Sequence, residues 1–426
     1  MVTDQRVLLL ELYAAAIDAA QPGPAITAAL ADAALQPRVH VIAIGKAAAA
    51  MAAAASKAVE AAGHELAGGI VVTGDAAAAP VRAGGLRVVT GDHPVPGVRS
   101  LRAAATIADA TKAVRAGDSA LVLLSGGATS LAAAPVPGVE PGELAALNEA
   151  LLASGLDIVA MNRVRKRFLR WGAGRLAAAL APADVHCLVA SDVTGDDLAA
   201  IGSGPCAPDD TTADEVAAML NAAPIGGRVP SGLLRLLAET SAGRIAETPK
   251  RGDAAFARVR SQVIVRNRMA LAGAAERAAA LGLSAEIVAE PLAGAAAAAG
   301  VRLGRALDGL NPKRCSIRGG ETTVALGEAP GTGGRCQELA LAAAREMAGR
   351  RHAALLAAGT DGRDGPTDAA GAVVDGGTWA RISDAGRNPA LDLQRHDAFP
   401  SLAAAGALIP RRPTGTNVAD IVITLG

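Results

Sequence analysis

Short apolar segments that end in glycine or polar residues alternate along this chain with longer, alanine-rich segments. VHVIAIG at 39–45, ALVLLSGG at 120–127 and VHCLVASD at 185–192 have the composition of buried strands. The alanine-rich segments between them have the length and composition of helices. This alternation predicts an α/β fold, in which ligands bind beyond the carboxyl ends of the strands.

Two interruptions of the alternation predict that the chain forms two domains. A chain of 426 residues is longer than one typical domain. Residues 1–245 are predicted to form a larger, Rossmann-like α/β domain with a largely parallel sheet, which residues 246–310 continue or link. From the polar segment NPKR onward, residues 311–426 are predicted to form a smaller α/β domain with a mixed sheet.

The charge and composition of the chain argue against several classes of partner and location. Lys and Arg number 41 and Asp and Glu 41, so no net charge attracts nucleic acid or an anionic membrane. Two Trp, one Tyr and three Phe are too few for platforms that stack bases. No apolar stretch is long enough to span a membrane without charge or proline. We therefore expect no nucleic-acid or membrane partner.

The cysteines and the N-terminal segment favour a cytoplasmic protein. Four cysteines are scattered, with neither the spacing of zinc ligands nor a disulfide framework. The N-terminal segment has an early acidic residue and no A-x-A-type cleavage site, which favours an amphipathic helix over a signal peptide. A soluble, cytoplasmic protein is therefore expected.

Two strand–turn–helix segments have the residues of an anion site. In IAIGKAAAAM at 42–51, Lys46 adds a charge where helix amides already attract anions. The GxxxxGK[ST] spacing of a P-loop is absent, and the pattern alone also fits a lysine that faces water. In LVLLSGGATS at 121–130, glycines let backbone amides approach a phosphate, although a tight turn also needs them. The candidate residues of this turn are Ser125, Gly126, Gly127, Thr129 and Ser130.

Acidic residues follow the strand at 185–192. Asp192, Asp196 and Asp197 lie just beyond its end, where one or two carboxylates with phosphate oxygens suit Mg²⁺. The alternative is that Asp196 or Asp197 caps a helix.

A charged, glycine-rich segment lies at 317–344. Glu321 follows two glycines, and Arg335 is predicted at a helix start, where it opposes the helix dipole. Such a position is favourable if the arginine binds a phosphate or carboxylate with two hydrogen bonds. The segment therefore indicates an anion site.

The stretch GTDGRDGPTDAAGAVVD at 359–375 has three carboxylates on one bend. Its spacing does not match an EF-hand, which needs a Glu at the twelfth position. Asp361 is placed at a strand end, where it is a candidate ligand. Asp364 and Asp368 are expected to shape the turn.

Eleven motifs occur here in the order found in the glycerate kinases with a C-terminal MOFRL domain, and the chain resembles this family from about residue 6 onward. They are AIGKAA, GDHPVP, SGG, NRVRK, GRLA, SDVTGDDLAAIGSGP, APDDTT, GGETTV, GGRCQELAL, GTDGRDGPTDAAGA and PTGTNVADI.

The resemblance implies ATP-dependent phosphorylation of the 2-hydroxyl of D-glycerate, or of a related small hydroxy acid, in a cleft between two α/β domains. ATP and Mg²⁺ are the implied cofactors, a small hydroxy acid is the partner, and a homodimer is a possible assembly. Family members are often labelled hydroxypyruvate reductases, but the GxGxxG signature of a dinucleotide site is absent. The alternatives are an NAD(P)H-dependent hydroxypyruvate reductase and a non-catalytic binding protein.

The resemblance also implies roles for single residues. Lys46, Arg335 and Asp192 are the catalytic candidates, and the SGG turn binds the phosphates of ATP. Asp192 and Glu321 are the candidate Mg²⁺ ligands. The candidate substrate-binding residues are Arg165, Arg318, Glu321, Asp361 and Asn417.

The sequence departs from the family pattern at several positions. Arg167, Leu169 and Gly172 stand where His, Ser and Lys are usual, Arg318 replaces Ser, and Cys336 replaces Asn. We expect these changes to alter which hydroxy acids the pocket accepts.

Overall fold

The computed structural model of the protein describes residues 5–74, 85–152, 154, 156, 158–225, 227–307, 313–327 and 330–426. The chain divides into two compact units. We call Pro22–Ile264 the parallel-sheet unit, and the residues up to Gln21 together with Val265–Gly426 the mixed-sheet unit. The two predicted α/β domains with different sheets are confirmed.

Strands and helices alternate through most of these described ranges. The helices are α1 Gln5–Ala19, α2 Pro22–Ala31, α3 Ala48–Ala61, α4 Val98–Ala113, α5 Ala128–Leu131, α6 Pro141–Leu152, α7 Ile158–Arg167, α8 Arg175–Leu180, α9 Ala213–Ala222, α10 Ser231–Ser241, α11 Asn267–Ala280, α12 Ala296–Ala306, α13 Arg335–Glu346, α14 Thr378–Asp384, α15 Pro389–Gln394 and α16 Ala398–Ala404. The strands are β1 Arg38–Ile44, β2 Glu65–Thr73, β3 Arg87–Thr90, β4 Ser119–Leu124, β5 Asp184–Ala190, β6 Val259–Val265, β7 Ser284–Ile287, β8 Arg314–Gly320, β9 Ala354–Gly359, β10 Ala369–Asp375, β11 Leu408–Pro410 and β12 Asp420–Leu425. Within the ranges that the structure describes, no helix has both the length and the apolar character needed to cross a bilayer.

The parallel-sheet unit contains a six-stranded sheet in the order β3-β2-β1-β4-β5-β6. The pairs β3–β2, β2–β1, β1–β4 and β4–β5 all run parallel. Apart from Arg38, the residues of the two central strands β1 and β4 are buried, as continuous apolar strands of a parallel sheet should be. Their carboxyl ends therefore lie side by side at one edge of the sheet.

The mixed-sheet unit contains a second six-stranded sheet in the order β11-β10-β9-β12-β8-β7. Only β7 and β8 pair in parallel among the pairs described, and the others are antiparallel. Helices α12 and α13 pack closely because α12 presents glycines to its neighbour. A Cβ on Gly304 would lie 2.8 Å from the Ala343 carbonyl oxygen, so a larger residue there would force the helices apart.

The compact units differ from the predicted boundaries at 245 and 311. Helix α1 belongs to the mixed-sheet unit, where it packs on α11 and the Tyr13 hydroxyl donates to the Gly359 carbonyl at 2.6 Å. Strand β7, from the segment expected to continue the first domain, pairs with β8. The contacts of α1 join residues far apart in the chain, which the order of elements does not reveal. The first two residues of NPKR lie outside the described residues.

Each unit buries one tryptophan against its own core. Trp171 is 8% exposed, and its indole Nε1 donates to the Ala104 carbonyl at 2.9 Å. Trp379 is partly buried and packs on the core of the mixed-sheet unit, which α12, α13 and the sheet enclose. Both cores are otherwise built mainly from Ala, Leu, Val and Ile, as the composition requires.

Candidate functional site

The carboxyl ends of β1 and β4 place Lys46 and the SGG turn together. The backbone amide of Ser125 donates to the Ile44 carbonyl at 3.0 Å, and that of Lys46 donates to the Gly126 carbonyl at 2.9 Å. The amide of Ala47 donates to the Ser125 hydroxyl oxygen at 3.0 Å. Two segments almost 80 residues apart in the sequence are thus joined by main-chain and hydroxyl hydrogen bonds.

Two glycines make this junction possible. Gly45 has φ +136°, and a Cβ there would overlap the Ser125 side chain and carbonyl. Gly127 has φ +83°, and a Cβ there would lie 3.0 Å from His93 and 3.5 Å from the Cγ of Lys46. The glycines therefore allow the close approach of the two loops, and the stem of Lys46 lies beside Gly127.

The loops after β4 and β5 also contact each other. The Thr129 and Ser203 hydroxyls are 2.9 Å apart, and Gly202 packs close to Ala128. Asp192 is half-buried two residues beyond the end of β5. Asp197 accepts a hydrogen bond from the Ala199 amide at 2.9 Å, so it stabilises a local turn, while Asp192 keeps its predicted place at the strand end.

Arg165 lines a cavity in the same unit. The cavity has a volume of about 420 Å³ and is also lined by Thr129 and Ser130 of α5. The Arg165 Nε donates to the Asn148 side chain at 2.9 Å, and burial lowers the pKa of the guanidinium. The predicted substrate-binding arginine and two predicted cofactor-binding hydroxyls therefore border one space.

In the mixed-sheet unit, Arg335 is the first residue of α13 and is held by two carboxylates. Its Nε and Nη2 donate to the two Asp420 oxygens at 2.6 and 3.0 Å, and its Nη1 pairs with Glu321. Burial alone lowers the pKa of Arg335, but the Asp420 and Glu321 carboxylates outweigh it and raise the pKa above its ordinary value. The arginine predicted at the helix start is thus permanently charged and fixed in direction.

The register of the second sheet explains why these residues meet. Asp420 lies opposite Gly320 of β8 and opposite Gly359 of β9. Glu321 comes directly after β8 and Asp361 lies two residues after β9, so both reach the edge at which β12 begins. Asp361 accepts a hydrogen bond from the Arg363 amide at 3.0 Å. Three carboxylates from distant segments therefore share one edge of the mixed sheet.

Asn417 is buried on the segment that leads into β12. The next residue, Val418, donates its amide to the Thr360 hydroxyl at 2.9 Å, and the Thr416 hydroxyl donates to the Ala20 carbonyl at 2.6 Å. Hydrogen bonds therefore tie the backbone of this segment to the residues that follow β9 and α1. Asn417 therefore occupies a fixed position near the Asp361 bend.

Asp364 does more than shape its turn. It is 3% exposed and accepts hydrogen bonds from the Cys336 and Gln337 amides, at 3.1 and 2.8 Å, at the start of α13. Burial raises the pKa of the Asp364 carboxyl to about 6, and the nearby Asp420 carboxylate adds to the effect. Asp364 thus caps the helix that carries Arg335, and the expectation that it only shapes the bend was too narrow.

Arg318 lies elsewhere in the mixed-sheet unit. It is opposite Val422 in the sheet and lines a separate cavity of about 180 Å³ with Ser316 and Thr424. The structure therefore does not place this predicted substrate-binding residue in the cluster formed by Arg335, Asp420 and Glu321.

The expected effect of Arg167 on the pocket needs correction. Arg167 is 3% exposed and pairs with Glu247, and its neighbour Lys166 binds Asp209 at 2.9 Å. The Arg167 guanidinium is therefore engaged in a buried network of ion pairs, which the sequence patterns did not predict. The charged residues clustered in the stretches APDDTT and ETPKRGD are the sequence feature from which this ion network could have been predicted. Leu169, in contrast, does line the 420 Å³ cavity.

Cys336 and Gly172 are both buried and lie close to neighbouring backbone segments. The Cys336 side chain is 2% exposed beneath the first turn of α13, and burial raises the pKa of its thiol. A Cβ on Gly172 would lie 2.9 Å from the Lys166 carbonyl oxygen. Neither residue offers a polar group to a ligand.

The carboxylates of the two clusters differ in their fit to Mg²⁺. The part of the chain that the structure describes holds no group of three or more His, Cys, Asp or Glu side chains placed for a metal ion. Magnesium in kinases needs only one or two carboxylates besides phosphate oxygens, so Asp192 fits this role. Glu321 fits less well because it gives one oxygen to Arg335.

Comparisons with known proteins identify the family to which this chain belongs. The family described as "Domain of unknown function (DUF4147)" matches residues 8–238, and the MOFRL family matches residues 314–420. A D-glycerate 2-kinase of Thermotoga maritima is 34% identical, over 98% of this chain and 97% of its own length. The chain belongs to the glycerate kinase family with a C-terminal MOFRL domain. The predicted resemblance is confirmed.

Two other similarities place the chain within this glycerate kinase family. The crystal structure of a glycerate kinase from Thermotoga maritima superposes with a TM-score of 0.84 at 34% identity, and the match covers 99% of each chain. A protein of Agrobacterium vitis named as a putative hydroxypyruvate reductase is 37% identical over 98% of this chain and 93% of its own length. Relatives named as glycerate kinases and relatives named as hydroxypyruvate reductases therefore have similar sequence identity to this chain.

Proposed function

We propose that this protein transfers the γ-phosphoryl group of ATP to the 2-hydroxyl of D-glycerate, or of a related small 2-hydroxy acid. The products are ADP and, from glycerate, 2-phosphoglycerate. The observation that carries the proposal is the junction of Lys46 with the SGG turn, in a chain that matches a D-glycerate 2-kinase over nearly its full length. A lysine beside a glycine-rich turn at the carboxyl ends of parallel strands is suited to phosphate.

Phosphoryl transfer depends mainly on positioning and on neutralising charge. Lys46 and the amides of Gly126 and Gly127 bind the phosphates of ATP. Arg335, held in direction by Asp420, binds the substrate carboxylate or the transferring phosphoryl group. Asp192 would hold Mg²⁺, which supplies further neutralisation of the phosphate charge when bound.

The reaction itself forms one bond and breaks one. The 2-hydroxyl oxygen of the acid attacks the γ-phosphorus, and the bond between this phosphorus and the β,γ-bridging oxygen breaks, so ADP leaves. The hydroxyl proton passes to a carboxylate, for which Asp192 and Asp361 are the candidates. Orientation of the attacking hydroxyl is the main task of that carboxylate.

A reductase is the second candidate, because a relative bears that name. One experiment separates the two. The purified protein is assayed for ADP release with ATP, Mg²⁺ and D-glycerate, with the phosphate position read by ³¹P NMR, and for NADH oxidation with hydroxypyruvate. We expect 2-phosphoglycerate and no NADH oxidation. NADH oxidation without ADP release would replace the kinase by the reductase, and nucleotide binding without either reaction would indicate a binding protein.

The cytoplasmic location and the homodimer stay predictions. Light scattering of the purified protein at several concentrations tests the homodimer.

A further inference from the structure

The cavity that Arg165 lines is much larger than a three-carbon acid requires. Its volume of about 420 Å³ falls in the range of sites for drug-sized ligands, roughly 300–1,000 Å³. Its boundaries include the loop 94–97 after β3, helix α5, one face of α6, Arg165 of α7, and Leu169 just beyond α7. All of these belong to the parallel-sheet unit.

The walls of the cavity are predominantly apolar. Val95, Leu101, Leu144, Leu152 and Leu169 line it together with four prolines. Leu152 and Val95 are large apolar residues that are 73% and 76% exposed, so they present apolar surface to whatever occupies the cavity. The walls therefore suit a ligand with an apolar group, since removing apolar surface from water is favourable.

One positive charge enters this apolar space. Arg165 is half-buried, and its Nε and Nη1 donate to the neutral side chains of Asn148 and Asn162, at 2.9 and 3.3 Å. Among the residues that the structure describes, no carboxylate lies within ion-pairing distance of its guanidinium. Burial without a counter-ion is costly, and it also lowers the pKa of Arg165. An anionic ligand would supply the missing partner with bidentate geometry.

The remaining polar lining limits the charge of that ligand. Glu149 is an exposed carboxylate on the cavity wall, so a ligand with several negative charges would be repelled. Thr129 and Ser130 offer hydroxyls from the short helix that follows the SGG turn. A ligand with a single carboxylate and a nearby hydroxyl group matches these polar side chains better than a triphosphate does.

We propose that this cavity binds the phosphoryl acceptor, with Arg165 on its carboxylate, and that the preferred acceptors are 2-hydroxy acids with an apolar substituent. The inference rests on the proposed function and specifies its substrate class. The carboxylate lies at Arg165, the 2-hydroxyl points towards Thr129 and Ser130, and the substituent lies among the leucines of α6 and Leu169.

The first test is acceptor specificity in the ADP-release assay. D-2-hydroxy-4-methylpentanoate is compared with D-ribonate, a polyhydroxy acid of similar length, and with D-glycerate. We expect kcat/KM for the methylpentanoate to exceed that for ribonate by at least about tenfold, because only the apolar substituent is stabilised by these walls. Equal values for the two acids, or a preference for ribonate, would overturn the proposal.

Variants of the cavity provide the second test. Arg165→Gln should raise KM for the acceptor at least about tenfold and leave KM for ATP unchanged. Ala145→Leu fills the cavity from α6 and should raise KM for the methylpentanoate more than KM for glycerate. Ala178→Leu, at an exposed position on α8 outside the cavity, is the matched control and should change neither. A rise in KM for ATP instead would assign the cavity to the nucleotide base.

Direct binding separates failure of this inference from failure of the proposed function. Saturation-transfer NMR with the methylpentanoate and without nucleotide should show binding to the wild-type protein that Arg165→Gln abolishes. If binding is seen but no acid is phosphorylated, the kinase proposal fails, and the cavity remains a binding site for apolar 2-hydroxy acids only. If glycerate is phosphorylated but the methylpentanoate neither binds nor reacts, the cavity assignment fails alone.

Discussion

The two units build their strand-end clusters by different physical means. In the parallel-sheet unit, Lys46 and the SGG turn are placed by main-chain hydrogen bonds that glycines make possible. In the mixed-sheet unit, Arg335 is placed by the side chains of Asp420 and Glu321, and its helix is capped by Asp364. The first cluster depends on backbone shape and the second on fixed charges.

This difference has consequences for what each cluster tolerates. A backbone-built turn is insensitive to charge but fails when a side chain fills the space between its loops. A cluster of ion pairs tolerates changes of volume at its rim but not the loss of one partner, because the other charge remains buried. Each variant below changes the feature on which its cluster depends, which is the close approach of the loops in the first and the fixed charges in the second.

Gly45→Ala should have the largest effect on stability. Its Cβ would overlap Ser125, so the β1 and β4 loops must separate, at a cost of about 3 kcal/mol or more. Gly68→Ala is the matched control, because Gly68 has a similar φ of +132° but no heavy atom within 4 Å of the place that a Cβ would take. It should cost about 1 kcal/mol. Urea unfolding measures both, and equal losses would show that close approach is not what Gly45 provides.

Arg335→Lys should have the largest effect on activity among charge-conserving changes. Lysine keeps the charge but cannot hold Asp420 with two hydrogen bonds, so the group that meets the phosphate or carboxylate loses its direction. We expect kcat/KM to fall about a hundredfold, or ~2.7 kcal/mol of transition-state stabilisation. Arg345→Lys, an exposed position on the same helix, should stay within about twofold. Similar activity in both variants would remove Arg335 from the proposed mechanism.

Lys46→Ala should reduce kcat/KM at least about tenfold, or ~1.4 kcal/mol, with little change in the free energy of unfolding. The reason is that the hydrogen bonds of the Lys46 and Ala47 amides to the SGG turn remain when the Lys46 side chain is removed. Lys57→Ala on the exposed face of α3 is the control and should be active. A large loss of stability in Lys46→Ala would mean that this cluster also depends on charge.

Asp364→Asn should have the smallest effect, seen in the pH dependence of stability. The pKa of Asp364 rises from 3.8 to about 6 on folding, so the folded chain binds this proton more tightly than the unfolded chain. Its contribution to stability is complete below pH about 4 and is lost as the pH rises through about 6.

The asparagine variant should therefore lose less stability than the wild type between these pH values. Urea midpoints at several pH values across this range measure the difference, and Asp368→Asn, whose side chain is 93% exposed, is the control. Parallel pH profiles for wild type and Asp364→Asn would contradict the assigned pKa.

The sequence predicted both sheets and the strand-end positions of Lys46, Asp192 and Asp361, because apolar runs and glycine turns are local signals. It did not reveal that α1 packs beside β9 or that Asp420 holds Arg335, since both depend on long-range contacts. The same limit explains Arg167, which was expected to alter the pocket. Its partner Glu247 lies 80 residues further along the chain.

The two tryptophans give each unit its own optical reporter. Trp171 lies in the parallel-sheet unit and Trp379 in the mixed-sheet unit, and the sequence contains no others. Replacing either one by phenylalanine leaves a single tryptophan, and its fluorescence, excited selectively at the red edge of the absorption band, follows one unit alone. Denaturation curves of the two single-tryptophan proteins would then show whether the halves of the molecule melt as one cooperative body or in succession.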